Sequence, residues 1–206
     1  MINLDDFISN FIILWAVIDP IGTVPVFIAI TKGYDDKEKK KIARFSSLIA
    51  LGVLLFFLVI GEIILKRVGV PLAAFQTSGG IILFLFALNM IFGDSKPEEE
   101  IQLVKSGNET AIFPLAIPSI AGPGAILAVV LLADSSRQSV MNQGIVAFTM
   151  SIVLFINFLL MRLSNKIQKT IGNSGAIVIS KVMGLILASM AANNILMGIK
   201  DFFKIT

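Results

Sequence analysis

The chain has neither cysteine nor histidine among its 206 residues. Disulfides, zinc sites of the Cys/His kind, thiol nucleophiles and His-dependent triads or dyads are thereby excluded. Charge is also scarce, at 15% of residues, where soluble domains carry roughly 25%. With 56% of residues hydrophobic, neither an ordinary soluble domain nor a disordered chain fits. A net charge of +3 is explained by loop lysines of a membrane protein, so no nucleic-acid partner is expected. The apolar stretches carry no polar stripe of period 3.6 and no ten-residue alternation, which excludes soluble amphipathic helices and a β-barrel.

What the chain does have is six apolar stretches of spanning length, at about 7–30, 45–65, 72–93, 112–133, 140–161 and 182–199. Only two charged side chains, Asp19 and Glu62, lie inside them. The first stretch lacks a basic leader, with Asp5 and Asp6 in its place, and is interrupted by Pro20 and Pro25. It reads as a retained helix rather than a signal peptide. With six crossings, the loops on the side away from the N-terminus carry twelve Lys and Arg, and the N-terminal side five. The excess predicts that the richer side is cytoplasmic and that both termini are extracytoplasmic, in a multi-pass protein of the plasma membrane.

The sequence contains a weak internal repeat. Pro20 and Pro25 in DPIGTVP are matched by Pro118 and Pro123 in IPSIAGP, and Gly80 and Asn89 by Gly184 and Asn193 at the same spacing. The expected fold is an all-α membrane protein of six transmembrane helices. Residues 1–93 form a first three-helix repeat, 94–111 a polar cytoplasmic linker and 112–206 a second repeat. An odd number of helices per copy inverts the second copy, as in many secondary transporters.

The Pro clusters predict breaks near the middle of the first and fourth helices. A broken helix in hydrocarbon is tolerated where it is buried in protein or lines a cavity. Each break creates a half-helix N-terminus with free N–H groups and a half-helix C-terminus with free carbonyls, which together can hold a zwitterion. A carboxylate at mid-depth is costly, so Asp19 is a candidate to hold a proton, a cation or a substrate ammonium. It can also cap the second half-helix through Gly22 or Thr23 N–H groups. Glu62, near a helix end, can reach the interface. Asn89, Asn193, Asn194, Asn157 and Gln76 are polar groups in apolar helices that either contact substrate or bond between helices. Thr77 to Gly80, Ser180 and Ser189 allow close helix approach. Trp15 falls near mid-depth, where it can line a cavity. The small bulk of Gly22, Ala121, Gly122 and Gly124 and the lack of nearby bases are compatible with a small zwitterion.

The segments VIDPIGTVPVF at 17–27, TSGGIILFLFALNM at 77–90 and PLAIPSIAGPGAI at 114–126 resemble the MarC family of integral membrane proteins, which includes SnatA-type transporters. The resemblance covers essentially the whole chain. It implies a transporter of small neutral amino acids such as glycine and alanine, with discontinuous first and fourth helices whose breaks form the substrate site. Carried onto this sequence, the site comprises Asp19, Pro20, Gly22 and Thr23 together with Ser119, Gly122, Pro123 and Gly124. The expected function is therefore a secondary transporter coupled to H⁺ or Na⁺, with Asp19 as the coupling carboxylate. No other cofactor, no metal site and no catalytic residue is expected. The partners are the neutral amino acid and the lipid bilayer, and a homo-oligomer is compatible. The alternative is an exporter of drugs or other amphipathic small molecules.

Overall fold

The computed structural model of the protein describes residues 4–93, 112, 115–133 and 140–204. The predicted linker at 94–111 lies outside the described residues. The described residues are helical, with no strand among them.

The first apolar stretch forms α1 (Leu4–Ile18) and α2 (Pro20–Ile30), separated by Asp19 alone. Pro20 is the first residue of α2, where its missing N–H costs nothing and its fixed φ suits the helix start. Pro25 was expected to share in the break but lies inside α2. The interruption is therefore a single-residue event at Asp19 rather than a seven-residue cluster. A capping box starts α3 (Asp36–Val68): the Asp35 carboxylate accepts from Glu38 N–H at 2.7 Å, and Glu38 accepts from Asp35 N–H at 3.0 Å. Gly69, at φ 75°, stops the helix. Near that end Glu62 pairs with Lys66 one turn on. Helix α4 spans Leu72–Phe92.

The fourth stretch is not one helix. A six-residue π-helical segment, Leu115–Ile120, contains a non-helical residue at Ile117, and α5 (Pro123–Leu132) follows after Ala121 and Gly122. Its exposed backbone carbonyls find donors from neighbouring elements. Ser46 Oγ of α3 donates to the Ile112 carbonyl at 3.0 Å, and Gln143 Nε2 of the next helix donates to the Ala133 carbonyl at 2.9 Å. Then come α6 (Val140–Arg162) and α7 (Ser164–Phe203), the latter sharply bent at Gly172, whose φ of 69° and ψ of 172° are open to glycine.

Five stretches are long and apolar enough to cross a membrane, and α5 is a shorter apolar helix. Large apolar side chains point outward on these helices, among them Val59, Phe148 and Leu196, each more than 60% exposed. A belt of that kind faces lipid rather than water. The interrupted first span is the most enclosed, with 61% of its apolar window buried against 22% for α3. The first interrupted helix is thus largely surrounded by protein.

Packing is crossed between the halves. Helices α1 and α2 lie against α6 and α7, while the π segment and α5 lie against α3. The most extensive contact joins α4 and α7. They run antiparallel: a Cβ on Gly80 would meet the Ala191 carbonyl and Ile195 N, both at 3.0 Å, and one on Gly184 would meet Met90 Cβ at 2.9 Å and the Ala87 carbonyl at 3.3 Å. At the far end, a Cβ on Gly198 would meet the Ala73 carbonyl and Thr77 N at 2.8 Å. Small residues let the two backbones touch along their length, a device typical of membrane helices.

Candidate functional site

Asp19 is 1% exposed and is the one charged side chain fully buried among the described residues. Its backbone is left-handed, with φ 49° and ψ 67°. Asp is one of the few non-glycine residues that adopts this region readily. Its amide still donates to the Trp15 carbonyl at 2.9 Å, closing α1, and its carbonyl accepts from Thr23 N and Thr23 Oγ1, both at 3.0 Å, opening α2. The side chain completes the junction. Oδ1 accepts from Gly22 N–H at 3.0 Å, the capping bond expected from the sequence. Oδ2 accepts from Ser180 Oγ at 2.9 Å. That serine, itself 1% exposed, lies on α7. The carboxylate therefore ties the first interrupted helix to the second half of the chain. Gly22 is required there, since a Cβ would stand 2.7 Å from both Asp19 Cγ and Ser180 Oγ.

Ser180 was read in the sequence only as a small packing residue. One signal marked it. The offset that superposes Gly80 on Gly184 also superposes Gln76 on Ser180, so each of the two helices has a polar residue one turn before its glycine.

The other predicted residues fall into three places. Pro20, Gly22 and Thr23 are buried around Asp19. Ser119, Ala121 and Gly124 are buried at the second interruption, and Gly122 there is half-buried. The Ser119 hydroxyl has no hydrogen-bond partner among the described residues. Asn89 is exposed on α4. Asn193, exposed on α7, touches Met197 Sδ through its amide at 3.4 Å. Breaks in the first and fourth stretches are thus observed where the Pro clusters predicted them, but the ten residues do not converge on one point.

An open cavity of about 460 Å³ lies between the two interrupted helices. It is lined by α1, α4, α5 and α7. Val17, Leu83 and Leu187 form its deeper wall, Val17 being two residues from Asp19. Polar groups come from Ser9, Gln76, Ser189, Asn193 and Asn194, and no charged side chain takes part. Of the ten predicted site residues only Asn193 lines it directly. Gly124 stands behind it, since a Cβ there would press on Leu83 at 3.1 Å. Among the described residues no cluster of acidic side chains could hold a metal ion.

Lipid-facing apolar helices around a buried, interrupted span define a multi-pass integral membrane protein. The sequence profile of the MarC family integral membrane proteins matches residues 4–203, and the chain belongs to that family. A UPF0056 membrane protein of Methanocaldococcus jannaschii is 35% identical over 201 residues, covering 96% of this chain and 98% of its own. The UPF0056 membrane protein YvbG of Bacillus subtilis is 34% identical, covering 95% and 94%. A UPF0056 membrane protein of Pyrococcus abyssi is 34% identical, covering 98% of each chain. No solved structure matches the chain.

Proposed function

We propose that the protein is a secondary transporter of small neutral amino acids such as glycine and alanine, coupled to H⁺ or Na⁺. The observation that carries this reading is the uncharged, amide-bearing cavity between two interrupted helices. A cavity without charged groups suits a net-neutral solute, and amides and hydroxyls supply the orienting hydrogen bonds. Asp19 is the coupling carboxylate. A serine hydroxyl both donates and accepts, so the pair with Ser180 keeps its hydrogen bond with or without a proton on the carboxylate.

The architecture that goes with this function is two inverted three-helix repeats, residues 1–93 and 112–206. The crossed packing supports it, and so does the α4–α7 contact. Gly80 meets Ala191 and Ile195, while Gly184 meets Ala87 and Ile91, and each partner lies 104 positions from its counterpart. That reciprocity is what a two-fold axis in the membrane plane would produce. In such a transporter the broken helices rock around the site and expose it to one side at a time. The excess of Lys and Arg on the other side supports an extracytoplasmic position for both termini in a plasma membrane.

Purified protein in liposomes, challenged with labelled alanine or glycine under imposed proton and sodium gradients, tests the reading. Uptake that one gradient drives and that unlabelled alanine accelerates by counterflow is the expected result. Absence of uptake under every gradient, or displacement by hydrophobic drugs but not by amino acids, overturns it.

A further inference from the structure

Gln76 lies in the first turns of α4 and is 7% exposed, yet its amide makes no hydrogen bond with any described residue. A carboxamide so placed is left to hydrogen-bond whatever fills the space beside it. The side chain is not sealed in the core, because it lines the cavity between the interrupted helices. Its counterpart by the internal repeat, Ser180, does have a partner, the Asp19 carboxylate. Two equivalent polar positions thus face the two interrupted helices, one satisfied within the protein and one turned to open space.

We infer that Gln76 is the specificity-determining residue of the cavity, the group whose hydrogen bonds are completed by the transported solute. The inference rests on the transporter reading and deepens it. A carboxamide offers two N–H donors and one carbonyl acceptor side by side. Its complement is a net-neutral solute that presents an acceptor next to a donor, such as the carboxylate and ammonium of a zwitterion. The apolar wall of Val17, Leu83 and Leu187 takes the uncharged remainder. An anion would leave the Gln76 carbonyl unpaired, and a cation its N–H groups.

Transport kinetics of alanine in proteoliposomes test this with Gln76→Leu and Gln76→Glu, two variants close to glutamine in size. Gln76→Leu is expected to raise KM roughly tenfold with kcat little changed, the signature of lost binding. Gln76→Glu is expected to weaken alanine similarly while letting cationic alaninamide compete better than in the wild type. An equilibrium measurement separates recognition from folding. The chain has no cysteine, so Ser189→Cys, at an exposed position of the cavity lining, provides a single thiol. Alanine should slow its reaction with a water-soluble thiol reagent when Gln76 is present and fail to do so in the Gln76→Leu background. An unchanged KM in both variants, or equal protection in both backgrounds, overturns the inference while leaving transport intact. A wild type that moves no alanine overturns the transporter reading instead.

Discussion

Asp19 holds three jobs with one side chain: it adopts the left-handed backbone that separates two helices, caps the second and reaches the other half of the chain through Ser180. The jobs separate by substitution. Asparagine tolerates φ near 50° and can bond both Gly22 N–H and the Ser180 hydroxyl, so Asp19→Asn should fold within about 1 kcal/mol of the parent. If the charge couples transport, the same variant loses gradient-driven uptake by at least about tenfold while keeping exchange. Alanine keeps neither the cap nor the conformational preference, and Asp19→Ala should cost about 2–3 kcal/mol in detergent unfolding. Ser180→Ala should cost about 1–3 kcal/mol, because a buried carboxylate oxygen loses its donor. Asp19 was legible in the sequence because a carboxylate amid apolar residues stands out. Ser180 and Gln76 were legible only as polar or small residues in apolar helices, since such residues have many uses there and only the fold shows what faces them.

At the level of helices, the Pro clusters located the interruptions but not their form. Pro25 stays within α2, whereas the second interruption is drawn out into a π segment, a non-helical residue and a turn before Pro123. Proline identity marks a weak point, but the form of the break depends on the neighbours; Ser46, for one, supplies a donor to the Ile112 carbonyl just before the π segment. The glycines separate in the same way. Gly80→Ala places a methyl against backbone atoms of α7 and should destabilise by about 1–3 kcal/mol. Gly52→Ala on α3 meets nothing within 4 Å and should stabilise by up to about 1 kcal/mol. Thermal unfolding of the two variants in one detergent compares them directly.

For the whole molecule, composition and segment length were enough to read a helical membrane protein, since the scarcity of charge leaves few other solutions. The cavity was not readable, because its lining comes from four elements far apart in the chain. Orientation, which the lysine and arginine count predicts, has a clean test in a chain lacking cysteine. Asp6→Cys in intact cells should react with a membrane-impermeant thiol reagent, and Lys37→Cys should react only after the cells are opened. The reverse pattern would invert the assignment.

On the proposed inverted-repeat architecture, the α4–α7 seam has a consequence for how such a chain could have arisen. Part of it is reciprocal: Gly80 packs on Ala191 and Ile195 as Gly184 packs on Ala87 and Ile91. An interface of that kind is isologous, the type that two identical subunits form about a two-fold axis. A protein of half this length, inserted in both orientations, could pair through the same glycines. Joining two such genes through a short connector would preserve the dimer contact as an internal one. The two copies would then be free to diverge, one keeping a serine opposite a carboxylate and the other a glutamine facing open space.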